Sequence, residues 1–293
     1  MLGNTIYSLD PWQIATFVAL FIAVLALWIS PFYWWSALAA AAALGYCSGV
    51  LQGAAFVSIA LAIVVCKLYA RSDGGTTTRR MVAIVSVVVI ALLLGSHLLP
   101  GFNNPIVIDR VALSATAEPY TLYLNFDKTL AGLLLLGVCY PGWPNREGFR
   151  DSVTTPILPL IAITVLASIS LSYVLGYVRF EPKYLPMFWI WAVANLLSTC
   201  LSEEAFFRGF VQRELQWLLR SKRYGQSIAL LVSALLFGAA HFAGGWRYVL
   251  LATLAGIGYG YVYQRSQRIE WAMLAHFSLN TTHFLLFTYP RLS

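Results

Sequence analysis

Charged residues are scarce in this sequence of 293 residues, since Asp, Glu, Lys and Arg make up only 11% of it. Soluble domains carry roughly a quarter, and hydrophobic residues here reach 59%. The low charged fraction and the high hydrophobic fraction together argue against an ordinary soluble domain. Apolar runs of about 17 or more residues predict an all-α, polytopic transmembrane helix bundle of about eight to ten spans. The predicted spans are 12–30, 33–51, 54–70, 81–99, 128–142, 156–178, 186–203, 226–243, 247–264 and 270–289.

Cysteine and several catalytic signatures are also missing or rare. The four cysteines, Cys47, Cys66, Cys139 and Cys200, lie in or at the ends of apolar runs, and none forms a C-x-x-C pair. Neither a disulfide framework nor a cysteine metal site is expected. The sequence has no H-E-x-x-H, no G-x-S-x-G and no pair of intramembrane aspartates. Serine and aspartyl intramembrane proteases are therefore disfavoured.

No internal repeat or low-complexity tail divides the chain. We therefore expect a single integral membrane domain over 1–293, with accessory spans and a loop over 1–180 and a polar-patterned core over 186–290. The segment before the first span has no basic n-region, so it is a poor signal peptide and the first span is expected to be retained.

The basic residues form short clusters at predicted helix ends, which indicates a membrane topology and no nucleic-acid partner. The lipid bilayer is the expected surrounding, and the compact loops favour a bacterial cytoplasmic membrane. If loop 67–80 is cytoplasmic, Arg146, Arg150, Arg213, Arg220, Lys222, Arg223, Arg265 and Arg268 fall on the same side. The opposite side keeps Arg110, Lys128, Arg179, Lys183, Arg247 and Arg291.

The segment 100–127 is the longest stretch without a predicted span. Its prolines and Asn-Asn pair mark turns. The alternating "TLYLNF" within it predicts a short strand or a segment lying on the membrane surface. We expect an external loop here, a candidate lid where substrate specificity could be determined.

Two adjacent glutamates stand inside a predicted span, where ionisable side chains cost several kcal/mol unless they are paired. Glu204 and Arg208 are four residues apart, so one helix face brings them together as an ion pair. Glu203 is rotated about 100° away and has no partner on its own helix. Such a carboxylate suits a general base. The alternative is a buried Glu–Arg network that only locks helices together.

Two histidines and an asparagine can join the glutamates. His241 ends the span 226–243, and His276 and Asn280 share one face of the span 270–289. If 186–220 is one continuous helix, counting 1.5 Å per residue places all of these polar groups at comparable depths. They could then meet in a cavity, which we expect to open to the cytoplasm.

Three motifs occur in order in this region. "EEAFFR" fits E-E-x-x-x-R, "FGAAH" fits F-x-x-x-H, and "HFSLN" fits H-x-x-x-N. Together they resemble the CPBP family of intramembrane proteases, which includes the type II CAAX prenyl proteases and bacteriocin-immunity-related membrane proteins. The resemblance covers about 186–290. The sequence departs from the family pattern in lacking a proline just before the glutamates, which leaves open whether the helix breaks before Ser202.

The resemblance implies a division of roles within a glutamic-type protease. Glu203 and His241 would bind and activate the hydrolytic water, and His276 and Asn280 would stabilise the oxyanion. Glu204, Arg208 and Phe237 would support the site. The family implies no cofactor, although one glutamate and two histidines could also form a three-ligand zinc site.

The leading hypothesis is an intramembrane endopeptidase acting on a membrane-anchored or lipidated protein or peptide. The alternative is a non-catalytic membrane protein, such as an immunity or partner-stabilising factor, that keeps the fold and uses the polar cluster as structural support. A proton-coupled transporter with Glu203 as carrier is a third reading, and the missing internal repeat argues against it.

Overall fold

The computed structural model describes residues 8–140 and 156–293. Arg146 and Arg150, which we predicted on the same side as loop 67–80, lie outside the described residues. The segment before residue 8, which we judged a poor signal peptide, also lies outside them. The chain folds mainly into helices that alternate in direction. They are α1 (Pro11–Ala26), α2 (Pro31–Cys47), α3 (Gly53–Ala70), α4 (Thr77–Gly95), α5 (Phe126–Gly137), α6 (Ile157–Val174), α7 (188–218), α8 (Gly225–Ala240), α9 (Trp246–Ser266) and α10 (Ile269–Leu286).

Each predicted span overlaps one of these helices, so the helical bundle is confirmed. Local signals fix several helix starts: the Asp10 side chain accepts bonds from the first-turn amides of α1 in a capping box, and Pro11 follows it. Among the described helices, α3, α4 and α6 are long and apolar enough to cross a membrane, and α1 and α8 are shorter apolar helices. This confirms membrane-capable helices without establishing a count of eight to ten spans.

The molecule is not purely helical. Strands β1 (Ile106–Val111) and β2 (Tyr120–Tyr123) pair antiparallel within the long segment 100–127, so the strand predicted for "TLYLNF" is present. The hairpin is held to the C-terminal residues by the Ala117–Leu292 bridge and by an ion pair of Glu118 with Arg291 at 2.8 Å. That it acts as a lid stays a prediction.

The bundle has two ends that differ in composition. We call one end the hairpin face, which carries the segment 96–125, the turn 241–245 and the C-terminal residues 287–293. The other end, which we call the basic face, carries the turns 71–76, 219–224 and 267–268 together with the helix ends beside them. Because the helices alternate in direction, each turn can be assigned to one of these two faces.

Helix α7 carries both glutamates and runs without a break from 188 to 218. Two π-helical stretches, Asn195–Cys200 and Ala205–Gln212, flank the single α-helical turn Leu201–Glu204. A π-turn adds a residue to the helical repeat and changes which way the following side chains point, and such turns are frequent at functional sites. The structure therefore replaces the break considered before Ser202 with a change in helical winding on both sides of the glutamates.

Helix α5 lies very close to α7 at Gly132. A Cβ atom placed there would stand 3.0 Å from the Ser202 Cα and 3.1 Å from Leu201 side-chain atoms. We expect Gly132→Val to destabilise the protein by about 1–3 kcal/mol through overpacking. Thermal unfolding in detergent would measure this. Gly53→Val is the matched control, because nothing lies within 4 Å of a Cβ at Gly53, and an equal loss in both variants would contradict the close packing.

Candidate active site

Glu204 and Arg208 form the predicted ion pair in the interior of the bundle. Arg208 Nη1 donates to Glu204 Oε1 at 3.0 Å, and both side chains have no solvent exposure. The Arg208 guanidinium also donates through Nη2 to the Gly256 carbonyl of α9 at 2.9 Å and lies 4.6 Å from the centre of the Phe237 ring. This network fastens α7 to α8 and α9 and neutralises one of the two glutamates.

Glu203 is not the unpartnered carboxylate that the sequence suggested. Lys128 Nζ, from the first turn of α5, lies 2.8 Å from Glu203 Oε1, and both side chains are mostly buried. The two residues are 75 positions apart, so no helix-periodicity argument could pair them. The available signal was a lysine just inside the start of a short apolar span, where a cation needs a partner.

His241 caps the C-terminus of α8 in a defined orientation. Its Nδ1 lies 2.7 Å from the carbonyl oxygen of Phe237, one turn earlier. A carbonyl oxygen can only accept, so Nδ1 holds a proton, and Nε2 of the neutral ring is free to accept one. The Phe237 ring lies 4.7 Å from the imidazole and Tyr248 meets it edge-on at 5.0 Å. Phe237 thus orients His241 through its backbone as well as its ring.

His276 stands between the two glutamates. Its Nδ1 lies 2.8 Å from Glu204 Oε1, and its Nε2 lies 3.9 Å from Glu203 Oε2. The first distance is a hydrogen bond and the second is too long for one. Tyr259 stacks on the imidazole at 4.7 Å with an interplanar angle of 17°. The ring is therefore held with Nδ1 toward the buried ion pair and Nε2 on the side of Glu203.

Asn280 is fixed by a residue that the motifs did not include. Its Nδ2 donates to the Asn195 side-chain oxygen at 3.2 Å, and Asn195 lies in the first π-helical stretch of α7. A side-chain amide has two N–H groups, so the second one remains for another acceptor. Asn195 could have been suspected as a polar residue inside an apolar span, two turns before the glutamates.

Two cavities bring the predicted residues together. The larger, of about 190 Å³, is lined by Glu203, Lys128, His241 and Ser96 among apolar residues. The smaller, of about 70 Å³, is lined by His241, His276, Asn280 and Tyr248. His241 borders both, and His276 approaches Glu203 from the second.

Part of the wall of the larger cavity is formed by helix ends beside the hairpin face. Its wall includes Gly95 and Ser96 at the end of α4, Lys128 near the start of α5, and Ala240 and His241 at the end of α8. The side to which the cavity opens stays a prediction. The depth estimate from sequence treated His241 as a residue within a span, whereas α8 has only 16 residues and His241 is its C-terminal cap.

The zinc alternative can be compared with the arrangement of the described side chains. No group of three or more His, Cys, Asp or Glu in residues 8–140 and 156–293 is arranged to hold a metal ion. Glu204 Oε1 accepts from Arg208 and His276, and Glu203 Oε1 faces Lys128. The cofactor requirement stays a prediction.

Comparisons with known proteins reach the region that carries the site. Residues 185–282, about a third of the chain, match the family model described as type II CAAX prenyl endopeptidase Rce1-like. No curated protein matches significantly, and neither does any solved structure. The match agrees with the three motifs and spans all four predicted catalytic residues. Residues 185–282 are therefore similar to the family described as type II CAAX prenyl endopeptidase Rce1-like.

Proposed function

We propose that this protein is an intramembrane endopeptidase of glutamic type, which hydrolyses a peptide bond of a membrane-anchored or lipidated protein or peptide. The observation that carries the proposal is the position of His276, which bonds to one glutamate and lies 3.9 Å from the other. A polar cluster that only joined helices would not require a carboxylate and an imidazole in the walls of the two adjoining cavities.

Glu203 and His241 are the groups proposed to activate water. Both line the cavity of about 190 Å³, which has room for water because one molecule occupies about 30 Å³ in the liquid. The attacking water gives a proton to this pair as its oxygen bonds to the peptide carbonyl carbon. When the C–N bond of the tetrahedral intermediate breaks, the same proton passes to the leaving amine.

His276 and Asn280 are proposed to stabilise the oxyanion. Because Nδ1 of His276 donates to Glu204, Nε2 can donate to an oxyanion only when the ring is protonated. Asn280 adds its second amide N–H. Donors fixed in advance in a cavity with little water stabilise a developing negative charge strongly.

Lys128 is proposed to hold Glu203 in its working position. Its ammonium group contacts Oε1, which leaves Oε2 on the side of His276. We expect Lys128→Met to lower kcat/KM about tenfold, which corresponds to about 1.4 kcal/mol, and Lys128→Arg to recover most of the loss. Steady-state kinetics on a membrane-anchored peptide would measure it.

The control for Lys128 is Lys222→Met, which removes an exposed lysine from the basic face. It should leave kcat/KM unchanged, because Lys222 is remote from both cavities. Equal activities of the Lys128→Met and Lys222→Met variants would contradict the positioning role.

The substrate class follows from the family and the setting. Both cavities lie among membrane-capable helices, so the substrate is expected to be held at the bilayer, and a bacterial cytoplasmic membrane is the proposed location. Terminal-peptide mapping of membrane proteomes from cells with the wild-type protein or the Glu203→Gln variant tests the function. Protein termini present only with the wild type would support cleavage, and identical sets would overturn it.

The fully buried Glu204–Arg208 pair favours a second candidate, a non-catalytic immunity or partner-stabilising protein of the same fold. That reading predicts that Glu203→Gln and His276→Ala leave the cellular phenotype intact as long as the protein is made. Endopeptidase function predicts loss of the phenotype in both variants at normal protein levels, as judged by immunoblotting.

A further inference from the structure

Helix α4 ends in a backbone conformation that usually belongs to glycine. His97 follows the last turn of α4 with φ 60°, and the amides of His97 and Leu98 bond back to the carbonyls of Leu94 and Leu93. Glycine, or less often asparagine, occupies such a position, because a Cβ atom is crowded in the left-handed region. A histidine at this position therefore calls for a side-chain contact that offsets the strain.

The His97 side chain meets a buried carboxylate. Its Nδ1 lies 2.9 Å from Asp127 Oδ2, and the Asp127 side chain is 1% exposed whereas that of His97 is 43% exposed. An ionised carboxylate can only accept hydrogen bonds, so Nδ1 carries the proton and donates it. The contact joins the end of α4 to the first turn of α5 across 30 sequence positions.

Side chains outside the N-cap position hold the start of α5. The N-cap residue Asn125 makes no side-chain hydrogen bond to the helix. Instead, Asn104 Oδ1 accepts from the Phe126 amide at 2.8 Å. Asp127 Oδ1 accepts from the Lys128 amide at 2.8 Å and from Asn104 Nδ2 at 2.9 Å. First-turn amides that have no partner within the helix are thus bonded to residues that also contact the end of α4 and the loop after it.

The same segments line the larger cavity. Lys128 follows Asp127 in the first turn of α5, and its ammonium group lies 2.8 Å from Glu203 Oε1. Ser96 precedes His97 and lines the cavity together with Lys128 and Glu203. The position of the Lys128 ammonium group therefore depends on where the first turn of α5 is held.

Three side chains make up what we call the α5 clamp: His97, Asn104 and Asp127. We propose that the α5 clamp fixes the first turn of α5 and thereby holds the Lys128 ammonium group against Glu203. The inference rests on the proposed function and extends it to positioning residues outside the family match. When the first turn is loosened, Lys128 can turn away from Glu203, and the carboxylate spends less time in its working orientation.

His97→Gly separates the clamp from the shape of the helix end. It removes the bond to Asp127, yet glycine suits the positive φ, so a helix end with no further role would tolerate it. We expect kcat to fall about fivefold with KM nearly unchanged, because the loss concerns the reacting carboxylate and not substrate binding. His97→Asn should keep most of the wild-type kcat, since asparagine tolerates this conformation and its amide can donate to Asp127.

Gln267→Gly is the matched control. Gln267 ends α9 with φ 54° and lines neither of the two cavities. Its variant relieves the same backbone conformation and should keep the wild-type kcat. Equal kcat values of the His97→Gly and Gln267→Gly variants would overturn the clamp, and so would a His97→Asn variant as slow as His97→Gly.

The Lys128→Met background tests whether the clamp acts through Lys128. His97→Gly should cause no further loss of kcat there, because residues that act as one unit give non-additive losses. Losses that multiply would contradict an action through Lys128. A failure of the protease assignment looks different, since the Glu203→Gln variant would then be as active as the wild type.

Hydrogen–deuterium exchange of the peptide 124–132 tests the clamp without any proteolysis. Exchange at the start of α5 should be faster in the His97→Gly variant than in the wild type and unchanged in the His97→Asn and Gln267→Gly variants. Unchanged exchange in the His97→Gly variant would overturn the clamp even if the protein cleaved no substrate.

Discussion

Glu203→Gln should abolish most of the peptidase activity, with kcat reduced about 100- to 10,000-fold, the usual contribution of a general base. Glutamine has nearly the shape of glutamate, and its amide oxygen can still accept from Lys128 Nζ, which lies 2.8 Å from Oε1 in the wild type. It cannot take a proton from water. The measurement is the turnover of a membrane-anchored peptide by purified protein in detergent.

The control is Glu118→Gln, which also removes one carboxylate. Glu118 pairs with Arg291 at the hairpin face and borders neither cavity. Its variant should therefore keep wild-type kcat. Full activity in the Glu203→Gln variant would remove Glu203 from the mechanism, even with every contact in the site unchanged.

The second large effect concerns stability, at Arg208. Arg208→Met removes the 3.0 Å ion pair with Glu204 and the bond to the Gly256 carbonyl. It also leaves the fully buried Glu204 carboxylate without its cation. Removing one partner of a buried pair costs roughly 3–5 kcal/mol, because an uncompensated charge stays in the interior. We expect a corresponding loss in the free energy of unfolding, measured by denaturant titration in mixed micelles.

Two further variants separate charge from packing at this position. Arg220→Met removes an exposed arginine that contacts the carbonyl and the ring of the nearby Trp217, and it should change the unfolding free energy by less than about 0.5 kcal/mol. Adding Glu204→Gln to Arg208→Met removes the stranded charge and should restore part of the stability. If Arg208→Met and Arg220→Met unfold alike, the buried pair is not holding the bundle together.

The parts of the fold that sequence could predict are those set by local geometry. The apolar runs located the helices, because a helix that faces lipid or core needs a continuous apolar stretch. The pairing of Glu204 with Arg208 followed from a four-residue spacing on one helix. The motif spacing also selected His241, His276 and Asn280, which the structure gathers around two adjoining cavities.

What sequence could not predict depends on how distant segments pack. Lys128 belongs to another helix, and only the close approach of α5 to α7 at Gly132 brings it to Glu203. Asn195 reaches Asn280 from within a π-helical stretch, and no repeat or proline marks that change of winding. The place of His241 as the C-terminal cap of α8 depends on where that helix ends.

These findings also bear on the first 180 residues, which carry no family motif. The matched segment 185–282 holds both glutamates and both histidines, yet Lys128 and Ser96 line the same cavity as Glu203. The cavity is thus completed by residues outside the matched segment.

Glu203 and His241 are proposed to act together on one water molecule. The direct test is kcat of Glu203→Gln, of His241→Asn and of the double variant, since asparagine keeps a donor for the Phe237 carbonyl. Residues that act as one unit give strongly non-additive losses. We expect the double variant to be no slower than the slower single variant. Losses that multiply would show that the two side chains act independently and would contradict it.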